Sequence, residues 1–213
     1  MPDVHLPVLE DEPDDAPPSM SEGRPVRSIV KVLFEVVLIG MGVFLGLLGE
    51  QWRESSHHRE LALDSLRRFR TEIVANRSAV LAVKDYHATT RKSVETYLAA
   101  DRGSRQSGDL RINGIQPVSF EHTAWDLAIA TQSLAYLDSD LAFSVARVYD
   151  GQQRYAELTH GVLQAMYLRP PTENLEAFLR VLALYYDDIV LEEPGLVKMY
   201  NELLPQVDRA LAR

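Results

Sequence analysis

Hydrophobic and polar positions alternate with a helical period over most of this chain, and one stretch departs from that pattern. Ile29 to Gly49 reads IVKVLFEVVLIGMGVFLGLLG: Glu35 is the one charge after Val32, and Val36 to Gly49 carries none. At 1.5 Å per residue, a helix from Ser28 to Gly49 would be about 33 Å long and would cross a hydrocarbon core of about 30 Å. No other window reaches that apolar density, so residues 28–49 are expected to be a transmembrane helix. The uncharged run alone is shorter than the core, and a buried helix of a soluble protein is the alternative.

The helical pattern then continues. No Pro or Gly occurs between Glu50 and Ala100, and Ala62, Leu66, Phe69, Ile73, Asn76, Val80, Val83, His87, Thr90, Val94 and Tyr97 follow one another at spacings of four and three. Residues 50–100 are therefore expected as one long helix with a coiled-coil-like seam. Leu63, Val74 and Leu81 widen the stripe, which favours a bundle over a free coiled coil. Residues 101–118, with three glycines and a proline, predict a loop. Ser119 is expected to cap a helix over about 119–132, and Asp138 the next, over 139–168. Thr172 would cap a helix over 172–192. Glu193-Pro194-Gly195 punctuates, and 195–212 would form a last helix kinked at Pro205. The expected fold is all-α: a transmembrane helix continuing into a long helix that packs in a helical bundle, residues 50–213, outside the membrane. Arg180, Asp187 and Asp188 exclude 175–191 as a second span.

Charge changes the picture at the N-terminus. The net charge of −9 is concentrated there: residues 1–23 hold seven acids and no Lys or Arg, leaving 24 acids against 22 bases in the rest. Six of the eleven prolines lie in the first 25 residues. A segment so poor in apolar side chains cannot bury enough surface to offset ordering, so residues 1–27 are expected to be a disordered acidic, Pro-rich tail. It lacks the basic n-region of a signal peptide, and no small-x-small cleavage site follows Leu48, so the anchor is expected to stay uncleaved. Arg24, Arg27 and Lys31 before the helix against Arg53 and Arg59 after it favour the N-terminus inside and the helical domain outside, at a bacterial inner membrane. No basic platform for nucleic acid exists. The absence of cysteine excludes disulfides, thiolate zinc sites and cysteine nucleophiles.

Candidate chemistry is sparse. Glu35 is an intramembrane carboxylate; Lys31, one turn earlier, can pair with it, and its shallow depth lets it reach the headgroups. Glu54-Ser-Ser-His57 and Glu157-Leu-Thr-His160 have the Glu-x-x-His spacing of di-iron bundles, but a site needs two further inward Glu, and such pairs arise easily in a Glu-rich helical chain. His87 lies on the seam, as a core histidine or a pH-sensitive group. His122 and Asp126 stand one turn apart without a nucleophile signature. Tyr185-Tyr186 and Asp187-Asp188 could line a pocket, or form the core edge and solvated face of one helix. No phosphate-binding loop, dinucleotide fingerprint or hydrolase motif appears. No catalytic, cofactor-binding or metal-binding residue is assigned, and no cofactor is expected. Gly42 and Gly46 form a small-xxx-small pair, with Gly49 close to the same face, and are candidates for helix association in lipid.

Two segments together resemble small bacterial single-pass membrane proteins classed as domains of unknown function. Lys31–Glu54 (KVLFEVVLIGMGVFLGLLGEQWRE) is similar to their apolar helix with an early Glu and a polar-x-Trp-x-Glu exit, carried here by Glu35, Gln51, Trp52 and Glu54. Thr123–Gln153 is similar to their aromatic-led helix, turn and second helix, through Trp125, Leu137, Asp138, Leu141 and Tyr149. Gln132-Ser133 stands where a Ser/Thr-Gly pair is usual. The resemblance implies the anchored helical architecture and no activity. The expected function is a membrane-anchored interaction or scaffold module, leaning away from an enzyme, with the lipid bilayer as partner. A second copy, joined through the anchor and the long helix, or an unknown protein are its further possible partners. An enzyme or metal-binding helical bundle, or a single-pass sensory ectodomain, is the alternative.

Overall fold

The computed structural model describes residues 25–106, 108, 110–168 and 174–212, with side chains from Val30 onward. The expected tail, residues 1–27, lies almost wholly outside these, as does Thr172. The chain is all-α, with no strand among the described residues, and has four helices: α1 Pro25–Ala99, α2 Thr123–Ala130, α3 Ser139–Leu168 and α4 Leu175–Leu211. A 3-10 turn, Ser133–Tyr136, joins α2 to α3. Two units are distinguished, Met1–Trp52 and Arg53–Arg213, and α1 contributes to both.

In the second unit the seam behaves as its period requires. Leu66, Phe69, Ile73, Val80, His87, Thr90 and Val94 are at most 3% exposed. Against them pack Val145, Val148 and Tyr155 of α3 and Leu182, Tyr186, Ile189, Leu196, Tyr200 and Leu203 of α4. The order of cross-contacts fixes the topology. Phe69 meets Tyr149 and His87 meets Tyr186 and Glu193, while Arg77 reaches Asn201 and Arg70 reaches Asp208. Helices α1 and α3 therefore run parallel, and α4 returns antiparallel to both. This arrangement buries the seam within one chain, so the long-helix half of the expected self-association surface is already covered.

Three helix boundaries differ from expectation. The helix expected from Ser119 begins at Thr123, because Asn76 and His87 of α1 take up backbone groups of Ile115, Gln116 and Glu121; its N-cap, His122, makes no side-chain capping bond. The helices expected at 172–192 and 195–212 are one helix, Leu175–Leu211, with Pro194 and Pro205 inside it. A proline removes one backbone bond and normally breaks or kinks a helix. Here Ile189 and Leu196 are both fully buried on either side of Pro194, and Glu193 is pinned in the core, so tertiary contacts carry the helix through. Its cap is Asn174, whose Oδ1 accepts from the Ala177 amide at 3.0 Å. The expected cap of α3 holds: Asp138 Oδ1 accepts from the amides of Asp140 and Leu141.

Candidate functional site

Between Ala99 and α3 the chain descends along α1, and polar side chains on the buried face of α1 hold it at successive levels. Tyr86 accepts the Asn113 amide and donates to the Gly114 carbonyl. His87 Nε2 faces the carbonyl oxygens of Ile115 and Gln116, each at 3.1 Å. Lower down, Asn76 pairs with the backbone of Glu121, and Glu72 Oε2 accepts the Ala124 amide at 2.8 Å, capping α2 from another helix. Ser65 donates to Ser133 Oγ at 2.7 Å, and His58 stacks on Tyr136 with centroids 3.9 Å apart. The backbone turns its carbonyls inward by taking positive φ at Gly114 (72°) and Gln116 (43°). The first is open to glycine and the second is strained for glutamine.

The densest polar node of the core joins α1, α3 and α4. His87 Nδ1 lies 2.6 Å from Glu193 Oε1, and Tyr155 donates to the same oxygen at 3.1 Å. A carbonyl oxygen only accepts, so Nε2 carries a hydrogen, and one further proton is shared between Nδ1 and the carboxylate. Burial, then the charge of Glu193, pushes the Tyr155 phenol well above the usual tyrosine range. Burial, then its hydrogen bond to Glu72, does the same for Tyr149. The three node residues have the chemistry of an acid–base set, yet all are at most 2% exposed. General acid–base chemistry needs a substrate atom within hydrogen-bond reach. The node is a structural clasp.

The other candidates are placed as follows. His122 Nδ1 and Asp126 Oδ2 pair at 2.6 Å on the surface. Glu54 reaches His58 at 4.0 Å, and Glu157 and His160 are bonded instead to Gln153 and Gln164. Among the described residues no group of three or more His, Asp or Glu could hold a metal ion. Tyr185 and Tyr186 are buried, and Asp187 pairs with Arg91. Trp125 is half-buried and stacks on Tyr149, with centroids 5.0 Å apart.

Two surfaces are open to partners. In the first unit, the described large apolar side chains from Val30 to Leu48 are 44–66% exposed. The best 18-residue window has a mean hydropathy of 2.4 with none of it buried, so this helix is long and apolar enough to cross a membrane. Glu35 is exposed on it, and a Cβ added at Gly42, Gly46 or Gly49 would meet nothing within 4 Å. In the second unit, a groove of about 580 Å³ runs between α3 and α4, past Tyr185, Asp188 and Glu192. The sequence reading placed Tyr185 and Asp188 beside a possible pocket but missed the α3 side. The signal for it is Gly161 in mid-helix, beside Val162. Comparison with protein-family models, curated proteins and solved structures finds no match, so the functional reading rests on this chain's own residues.

Proposed function

We propose that this chain is a single-pass membrane-anchored helical interaction module, which holds a self-contained bundle at the outer face of a bacterial inner membrane. The single observation that carries the reading is the contrast between the two units. Residues Val30–Leu48 present large apolar side chains on every face without a packed partner, while Arg53–Arg213 closes a core of its own. Exposed apolar surface of that extent marks an interaction site, and a helix apolar all round is stable when lipid surrounds it. Arg24, Arg27 and Lys31 favour the N-terminus inside. The polar node of the core, His87, Tyr155 and Glu193, is at most 2% exposed, out of reach of a substrate. Gly42, Gly46 and Gly49 form a face on which a second anchor helix can approach closely.

Alkaline extraction tests the reading. The full chain is expected to stay in the membrane pellet, whereas a truncated chain beginning at Glu54 is expected to be soluble and helical. Release of the full chain by alkaline wash would make Val30–Leu48 a docking helix for protein instead of lipid.

A further inference from the structure

The groove between α3 and α4 has a built character. Its floor is apolar, formed by Leu158, Val162, Ala165, Val181 and the ring of Tyr185, and its borders carry the carboxylates of Glu157, Asp188 and Glu192. Arg154, the basic group beside them, is taken by Asp150. Glu157 and Asp188 are exposed and Glu192 is half-buried, and none of the three is in an ion pair among the described residues. On the α4 side of the groove, Val181 is the exposed apolar side chain, at 37%.

Gly161 supplies an independent pointer. It sits inside α3 on the groove floor, and a Cβ added there would meet nothing within 4 Å. Glycine weakens a helix interior relative to alanine, and no neighbour in this chain requires its absence of a side chain. A partner backbone approaching the groove would.

We propose that this groove docks an amphipathic helix of another protein, one with an apolar ridge and Lys/Arg flanks. The ridge would lie over Gly161 and between the two helices, against Val162 and Val181, and the basic flanks would meet Glu157, Asp188 and Glu192. A second copy is a poor occupant. Two copies meeting groove to groove would set Asp188 and Glu192 against their own equivalents. The acidic segment 1–23 is repelled by the same carboxylates. The proposal rests on the reading of the chain as an interaction module, but not on its anchor. Alkaline release leaves it standing, and failure here leaves the anchor standing.

The test uses the full chain in zwitterionic nanodiscs, with empty nanodiscs as blank. The probe is a labelled synthetic amphipathic helix of about five turns with a Leu ridge and Lys flanks, beside a counterpart with Glu flanks. The Lys-flanked probe is expected to bind at least about tenfold more tightly than its counterpart, and to weaken as salt is raised. Gly161→Leu, which has room to fold, is expected to plug the groove and reduce binding about tenfold or more. The exposed pair Asp188→Asn with Glu192→Gln carries the same test should Gly161→Leu misfold by circular dichroism. Equal affinity of the two probes, or unchanged binding in the groove variants, overturns the proposal. A photoreactive group at position 181 that crosslinks the Lys-flanked probe supports it. A crosslink between two copies of the chain, or to lipid, overturns it in favour of that occupant.

Discussion

Asn76 pairs with the backbone of Glu121 as one strand pairs with another: its Oδ1 accepts the Glu121 amide at 2.8 Å, and its Nδ2 donates to the Glu121 carbonyl at 2.8 Å. One buried side chain thus satisfies both backbone groups of a residue 45 positions away and fixes where that segment meets α1. Asn76→Leu, close in size, would orphan both groups and is expected to destabilise the truncated chain by about 2–4 kcal/mol in urea unfolding. Asn76→Asp keeps the acceptor but turns a carboxylate toward the Glu121 carbonyl and Gln152 Oε1, and should cost at least as much. A change below about 0.5 kcal/mol in both would show that water replaces the pairing.

The His87–Glu193 contact supports a double-mutant cycle. Removing one partner of a buried hydrogen-bonded pair leaves the other unpaired, so His87→Gln and Glu193→Gln are each expected to cost about 3–5 kcal/mol. The double variant should cost about 1–3 kcal/mol less than the two together, because neither orphan remains. Additive losses would mean that the two side chains act through separate contacts. Since Glu193 precedes Pro194, its loss should also open exchange of the amides around the proline before global unfolding.

Much of the bundle was legible because burial and helical period agree: every seam position from Ala62 to Tyr97 is buried or half-buried. Helix α3 was legible because Asp138 is a local cap and Leu141, Val145 and Val148 keep the period. The differences arise where distant residues overrule local chemistry. Ser119 is a good capping residue, yet Asn76 and His87 hold the backbone at Ile115, Gln116 and Glu121, and Glu72 supplies a capping acceptor to α2 from across the chain. Pro194-Gly195 reads as a stop, yet Ile189 and Leu196 belong to one buried stripe. Ser65 and Glu72 lie on the apolar face of α1, where polar residues signal cross-chain partners, but nothing local says which.

Alkaline titration separates buried from exposed tyrosines. Burial is the leading cause that raises the phenols of Tyr149, Tyr155, Tyr185, Tyr186 and Tyr200 above the ordinary value of 10.0. These are five of the nine in the chain. Near pH 10 the folded protein is expected to withhold the phenolate absorbance of these five, which should appear together with loss of helicity. The sign follows from linkage. Unfolded tyrosines lose their protons near pH 10 while the buried ones keep theirs, so stability is fully present below that value and falls as pH rises above it. Ionisation of these five near pH 10 with helicity intact would place their rings in contact with water.

The anchor carries the last prediction. Gly42 and Gly46 lie one turn apart, Gly49 follows close to the same face, and open space stands where each side chain would be. In lipid, apolar burial gives helices little reason to associate, and close backbone approach at small residues supplies the packing instead. The seam of α1 beyond Ala62 cannot extend such a contact, since α3 and α4 already cover it. Association between copies through the anchor is therefore expected to rest on the glycine face. Replacing Gly42 and Gly46 together with Leu is expected to abolish crosslinking between anchors in the membrane, while alkaline extraction still finds the chain in the pellet. A parallel change of Gly40 to Leu, on a different side of the helix, should leave crosslinking as it was. Equal crosslinking in the double variant and the native chain would mean that the glycines are not the contact face, and that Val30–Leu48 serves to hold the bundle at the bilayer without pairing it.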